Sequence, residues 1–193
     1  MLDLERGSVL IDGISIADVP PSKVRARLNA LPQEPYFIPG STVRACIDPF
    51  SKLEDGEIRN ILKDIQLLGY LGDTEAVLDL VVSESLLSHG QRQLLSLGRA
   101  IARRASTGNI LLLDEATSQL DSDTEETVCQ VIRHCFSDHT IISIAHRLDT
   151  IIDYDLIVVL DEGKVIEVGA ASVLLAQTSS AFRQLYDSQR RGD

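Results

Sequence analysis

Residues Leu86 to Asp121 read LLSHGQRQLLSLGRAIARRASTGNILLLDEATSQLD, and three elements follow one another in them. A polar Ser-His-Gly-Gln step leads into a helix over Gly90 to Ala105, and a run of apolar residues then ends in two carboxylates. Leu94, Leu97, Ile101 and Ala105 fall at three- and four-residue steps, which gives the helix one apolar face and leaves Arg92, Arg99, Arg103 and Arg104 on its other faces. Ile110-Leu111-Leu112-Leu113 is short and lacks alternation, as a central parallel strand covered on both faces does. Asp114 and Glu115 then stand at the strand's carboxyl end, where open α/β sheets place their ligands. Adjacent carboxylates with no basic neighbour in sequence call for a cation or a proton.

Composition narrows the class. At 193 residues the chain suits one domain with a sizeable core, and its 44% hydrophobic and 24% charged residues are ordinary for a globular protein. No apolar run reaches the roughly eighteen residues a membrane-spanning helix needs. A net charge of -11 argues against a nucleic-acid surface, and Arg99, Arg103 and Arg104 read as solvated helix faces rather than a phosphate site. Cys46, Cys129 and Cys135 are widely spaced and fit buried thiols in a reducing compartment better than disulfides or a metal site. The first residues carry charges where a signal peptide needs an apolar core, so the expectation is a chain that stays in the cytosol.

The central stretch resembles the ATP-binding-cassette (ABC) family. Leu87 to Gln91 (LSHGQ) is similar to its signature motif, Ile110 to Glu115 to its Walker B strand, and Ser118 to Asp121 to its D-loop. Order and spacing together are far more specific than any one piece. The resemblance implies an α/β fold of the P-loop NTPase (RecA-like) type: a parallel sheet with a small helical subdomain. Residues 1–34 and 105–193 are expected to form the core part, and residues 35–104 the helical subdomain that carries the signature.

Elsewhere the pattern agrees. Ser8 to Asp12 is a strand candidate that turns at Gly13, and a short helix ending at Val24 to Leu28 leads into a buried Leu28 to Leu31 segment that stops at Pro32. Gln33 stands in PQEPYFIPGS, whose prolines forbid regular structure. In the family this is the Q-loop, whose glutamine reaches the metal or the attacking water. Thr42-Val43-Arg44 and Asp48-Pro49-Phe50 resemble the C-type, multidrug-resistance-associated subfamily. A helical stripe of Ile58, Ile61, Leu62, Ile65 and Leu68 runs to a stop at Gly69. Ser122 and Glu125 form a capping-box pattern opening a helix that buries Val128, Val131, Ile132, Cys135 and Phe136. Thr140 to Ala145 reads as a buried strand delivering His146. Leu156 to Leu160 and Val165 to Val168 flank a hairpin turn with Gly163 at a positive φ, and Ala170 to Gln189 is a helical surface element.

Phosphoanhydride hydrolysis requires neutralised phosphates, in-line water and an acceptor for its proton. The resemblance implies ATP and Mg²⁺ as cofactors, with Asp114 and Gln33 at the metal, Glu115 as general base and His146 at the γ-phosphate. Ser88, Gly90 and Gln91 would meet the opposing nucleotide at a positive helix end, and Asp121 would cross to a partner domain. Each also has a plain structural reading: Asp114 and Glu115 as helix-capping carboxylates, His146 as a core-edge histidine, Ser88 as an N-cap, Asp121 as part of a helix-preceding turn. Gly98, mid-helix, costs about 1 kcal/mol against alanine and implies close packing.

One family element is not found. No Gly-x-Gly-Lys-Ser/Thr occurs in the chain, and Met1 to Gly7 resembles the end of the helix that normally follows that loop. The expectation is an amino-terminally truncated second nucleotide-binding domain of a C-type exporter, at the cytosolic face of a membrane through its parent, inactive alone. Its partners would be a second nucleotide-binding domain and the transmembrane domains, with no nucleic acid. Two alternatives remain open: a regulatory module lending only its signature to a partner ATPase, and a soluble cassette ATPase of DNA repair or translation, against which the acidic charge weighs.

Overall fold

A computed structural model describes residues 6–192; most of the proposed leading helix end, residues 1–5, falls outside them. The chain separates into two units, Met1–Ile142 and Ser143–Asp193. In the first unit a small hairpin, β1 (Leu10–Ile11) and β2 (Ile14–Ser15), precedes α1 (Pro21–Arg27) and β3 (Leu28–Leu31). Next come α2 (Val43–Ile47), α3 (Asp55–Asp64), α4 (Leu68–Leu71), α5 (His89–Arg103), β4 (Ile110–Asp114) and α6 (Ser122–Cys135). β5 (Thr140–Ile144) begins in this unit and completes a three-stranded sheet of order β3-β4-β5. β3 and β4 run parallel with Leu28 opposite Ile110 and Leu31 opposite Leu113.

The apolar run of β4 is therefore a central strand, as its lack of alternation requires. Leu111 and Leu113 are buried, and Ile110 and Leu112 on the other face are half-covered. β5 corrects the reading of a second buried strand. Ile142 and Ile144 are exposed, so the face of β5 that carries them is uncovered among the described residues, and β5 is also an edge strand with β4 as its one described neighbour. A run of isoleucines records β-propensity, whereas burial depends on what is packed above it.

One core joins the sheet to the helices, drawing Leu31, Leu111 and Leu113 together with Ile47, Ile58, Leu62, Leu95, Leu97, Val128 and Phe136. Helix α5 passes through it with Gln93 to Gly98 all buried. The helix is thus covered nearly all round at its middle rather than along one stripe, and Ala105 lies beyond its end and is exposed. Two arginines also depart from the solvated reading. Arg99 donates from Nε to the Cys46 carbonyl at 2.7 Å and from its Nη2 to the Tyr36 carbonyl at 3.2 Å, with its guanidinium 4.7 Å over the Phe37 ring. Arg104 donates to the Cys135 carbonyl at 2.8 Å, satisfying the end of α6. Arginine stems pack on apolar surface while their donors find acceptors, and periodicity alone does not register this.

The stripe from Ile58 to Leu68 is also not one helix. The chain leaves α3 after Asp64, turns through Gln66 at φ +58°, and resumes as α4, which contains Gly69 and stops at Gly72 with φ +86°. Thr42 caps α2 by accepting from the Ala45 N–H, Arg44 pairs with Asp55, and the buried Asp48 accepts from the Lys52 and Leu53 N–H groups at 2.5 and 2.7 Å. α6 opens one residue earlier than expected: Asp121, extended at φ −66° and ψ 159°, is the N-cap and accepts from the Thr124 N–H, so Ser122 is the first helical residue. Aspartate and serine are comparable caps, and the extended backbone at Asp121 makes it the cap here.

In the second unit β6 (Ile157–Asp161) pairs antiparallel with β7 (Lys164–Gly169) through a two-residue turn at Glu162 and Gly163, both at positive φ. The predicted terminal helix is two, α7 (Ala171–Ala176) and α8 (Ala181–Gly192). It is no mere surface element, because Ala171, Leu174 and Phe182 bury themselves with Ile157 and Val159. No helix among the described residues is long and apolar enough to cross a membrane.

Gly98 packs as its position suggested. A Cβ there would stand 2.9 Å from Ile65 Cδ1 and 3.3 Å from Ile61 Cγ2. Gly98→Val is expected to lower stability by about 2–3 kcal/mol in urea unfolding. Gly98→Ala should change it by less than about 1 kcal/mol, since helix propensity offsets the shift of the Ile65 tip. All three cysteines are free thiols, and Cys46 and Cys135 are buried. Burial pushes the Cys46 thiol up to about 11, against a smaller opposing pull from Arg99. The unfolded chain ionises Cys46 near the ordinary 9.0 while the folded chain keeps the proton to about 11. Its contribution to stability is then complete below pH 9 and lost as pH rises towards 11. Comparing the pH dependence of unfolding in Cys46→Ala and the parent should isolate that loss.

Candidate functional site

The sheet register builds the first half of the site. Leu31 of β3 stands opposite Leu113 of β4, and both strands point the same way. Two residues further on, Gln33 and Glu115 emerge at the same sheet end, and Gln33 Nε2 donates to Glu115 Oε2 at 3.0 Å. Two residues 82 apart in sequence thus meet. Pro32 and Pro35 keep the Gln33 segment irregular, and Asp114, the last residue of β4, lies exposed beside Glu115.

Glu115 occupies the left-handed region at φ +46°, a conformation that costs a side-chain-bearing residue of order 1 kcal/mol or more. A tight turn holds it there: the Ser118 N–H and Oγ both donate to the Glu115 carbonyl, at 3.1 and 3.0 Å. Of the other non-glycine residues in this region, Asp12, Ser51 and Gln66 have no acidic residue before them, whereas Glu162, in the turn between β6 (Ile157–Asp161) and β7 (Lys164–Gly169), likewise follows a strand-end aspartate, Asp161.

The second half is the start of α5. Ser88 Oγ accepts from the Gln91 N–H at 3.2 Å while Gln91 Oε1 accepts from the Ser88 N–H at 2.9 Å, a reciprocal capping box. Serine's structural reading therefore holds, and the Gln91 side chain is committed to the same cap. Gly90 packs against α6: a Cβ there would lie 3.0 Å from Thr124 Cγ2. Thr124 in turn donates from Oγ1 to Asp121 Oδ2 at 2.8 Å and from N to Oδ1 at 3.0 Å. These bonds hold the Asp121 carboxyl below the usual carboxylate range, the Thr124 N–H contributing most. Gly90 and Asp121 are thus neighbours through one threonine, with no room for a side chain between the helices.

A residue that the motif reading passed over connects the two halves. Gln93, fully buried, donates from Nε2 to the Pro32 carbonyl and to the Ala116 carbonyl, both at 2.9 Å. Pro32 precedes Gln33 and Ala116 follows Glu115, so one carboxamide on α5 spans the two segments whose side chains meet. A polar residue within a run of buried helix positions was the available signal, since buried polar groups need partners. Asn29 does similar work on β3, donating to the Ala100 carbonyl at 2.7 Å.

His146 belongs to the other unit. It is exposed, and its carbonyl accepts from Gln189 Nε2 at 2.8 Å. Among the described residues no cluster of three or more His, Cys, Asp and Glu side chains forms a metal cage. Asp114, exposed at the end of β4, and the Gln33 carboxamide oxygen are hard oxygen groups of the type that divalent cations take.

The chain belongs to the ABC transporter family, whose sequence model matches residues 1–118. It is 40% identical over 190 residues to ABC transporter atnG of Emericella nidulans, covering 98% of this chain and 12% of that protein. ABC multidrug transporter B of Aspergillus fumigatus is 42% identical over 188 residues, covering 97% of this chain and 13% of that one. ABC transporter C family member 1 of Dictyostelium discoideum is 38% identical over 187 residues, covering 96% and 14%. The chain thus spans about an eighth of the length of these curated relatives. Among solved structures it is similar to a bacterial Atm1-family ABC exporter with ATP bound, at a TM-score of 0.86 and 31% identity, covering 97% of this chain and 33% of that one. The fold is that of an ABC ATPase: a parallel α/β sheet with helices.

Gln93→Met keeps the volume but leaves the Pro32 and Ala116 carbonyls without this donor. It is expected to destabilise the chain by about 1–3 kcal/mol in urea unfolding and to shift the NMR signals of the Gln33 carboxamide. A Leu97→Ala change in the same helix should not shift them.

Proposed function

We propose that the chain is the second nucleotide-binding domain of a C-type ABC exporter, working at the cytosolic face of a membrane. It would bind and hydrolyse ATP against a second such domain and drive transmembrane domains. Residues 1–34 and 105–193 are read as its core part and residues 35–104 as its helical subdomain. The C-type assignment is supported by the Thr42-Val43-Arg44 and Asp48-Pro49-Phe50 segments and by likeness to a C family member.

The observation that carries the reading is the Gln33–Glu115 hydrogen bond at the end of two parallel strands, with Glu115 held at a positive φ. That geometry suits a carboxylate that accepts a proton from water and a carboxamide that orients the same water. Asp114 and Gln33 would hold Mg²⁺, which when bound neutralises phosphate charge. Ser88 and Gly90, at the start of the fifteen-residue α5, offer a helix end to the partner's nucleotide. Gln91 supports that turn through the cap, and Asp121 faces the partner domain. His146 is assigned to the γ-phosphate by the family resemblance.

A second reading rests on the sequence. No Gly-x-Gly-Lys-Ser/Thr occurs in these 193 residues, and the backbone cradle and lysine supply most phosphate binding. On its own the chain would then act as a dimerisation or regulatory module that lends Ser88 and Gly90 to another domain's ATP.

The test is steady-state ATP hydrolysis by a transporter carrying this sequence. Glu115→Gln should lower kcat by roughly a hundredfold or more while ATP still binds. Unchanged turnover would remove Glu115 from the base role. For the module reading, the 193-residue chain should associate with an intact, ATP-loaded cassette domain, and Ser88→Arg should abolish the association.

A further inference from the structure

The carboxyl-terminal helix holds the main chain around His146 directly. Residues 145–147 have no regular structure between β5 and the 3-10 turn Leu148–Ile151. Their backbone groups therefore need partners other than a ladder. Gln189, on α8, supplies two. Its Nε2 donates to the His146 carbonyl at 2.8 Å, and its Oε1 accepts from the Leu148 N–H at 2.8 Å. A side-chain carboxamide thus pairs with the backbone on either side of Arg147, as a peptide group does in an antiparallel rung.

The helix that carries Gln189 is itself fixed. Glu167 Oε2, on β7, accepts from Ser180 Oγ at 2.8 Å and from the Phe182 N–H at 2.9 Å, tying the start of α8 to the hairpin. Phe182 is buried against Ile157, Val159 and Leu174. Phe182, Tyr186 and Gln189 fall four and three residues apart, on one face of the helix. Asp149, within the 3-10 turn, pushes the Tyr186 hydroxyl's pKa up, and Arg190 lies 5.8 Å over the Tyr186 ring. The helix is anchored in the core at its first turn and reaches the 146–149 segment with its last ones.

We propose that Gln189 is a positioning residue for His146: its carboxamide fixes the His146–Leu148 main chain, so the carboxyl-terminal helix decides where the His146 imidazole is presented. The consequence for catalysis rests on the reading of His146 as the γ-phosphate contact; the latch itself does not. Glutamine is the residue the geometry requires. A carboxylate could accept from the Leu148 N–H but has nothing to donate to the His146 carbonyl, and alanine can do neither.

Amide hydrogen exchange on the 193-residue chain tests the latch. In Gln189→Ala the Leu148 amide should exchange about five- to tenfold faster, with the Val159 amide of β6 unchanged; Gln189→Glu should give a smaller increase at Leu148. Unchanged Leu148 exchange in folded Gln189→Ala overturns the proposal, as does equal acceleration at Val159. Kinetics of a transporter carrying the sequence then test the consequence. Gln189→Ala should lower kcat several-fold with little change in KM, and should lower it no further when His146→Ala is already present. An undiminished loss in that background overturns the positioning role. If His146→Ala alone leaves turnover intact while Leu148 exchange responds to Gln189→Ala, the reading of His146 has failed and the latch stands.

Discussion

Helix α5 has no face left for solvent between Gln93 and Gly98, and most of the first unit is arranged by that fact. Apolar contacts with β3, α2, α3 and α6 surround it. Such contacts are non-directional, so by themselves they would let the helix slide or rotate. Directional bonds fix it instead: Gln93 reaches the Pro32 and Ala116 carbonyls, and Asn29 reaches the Ala100 carbonyl. A buried carboxamide without partners is costly, so a shift of α5 by one residue would forfeit those bonds. Gly98 adds a steric limit, since it admits Ile65 and Ile61 where a larger residue would hold α3 away.

The geometry of the Gln33–Glu115 pair follows from the same constraint. Parallel pairing puts the ends of β3 and β4 side by side, and the register carries two residues past Leu31 and Leu113 to Gln33 and Glu115. Gln93 holds the main chain next to each. The start of α5 is meanwhile in contact with α6 through Gly90 and Thr124, and Thr124 binds the Asp121 carboxylate. One helix therefore touches the strand ends near its first turn and the cap of α6 at its very start. A displacement at either place is passed on through packed atoms rather than absorbed by a loop.

Much of the site was legible in order. Gln33, Ser88, Asp114 and Glu115 lie where the motif spacing put them, at a loop, a helix cap and a strand end. Gln93 was passed over, because a glutamine in a helix usually faces water, and its place beside a run of apolar helix positions does not by itself name its partners. Arg99 and Arg104 were misread because periodicity assigns a face, and a long cation can leave that face to satisfy carbonyls of the helices packed against its own. The cap of α6 shifted by one residue because Asp121 and Ser122 are both good caps, and only the backbone conformation selects between them.

Taken alone, the sequence determined the α/β class, the order of the elements and the identity of the chemical groups at the strand ends, because hydrophobic period, turn residues and caps are local properties. Tertiary structure decided which of those groups meet. The register of β3 on β4, the covering of α5 on all sides, the exposure of Ile142 and Ile144 and the reach of Gln189 to the His146 main chain all depend on residues tens of positions apart. Contacts of that kind are set by packing, and no window along the chain contains them.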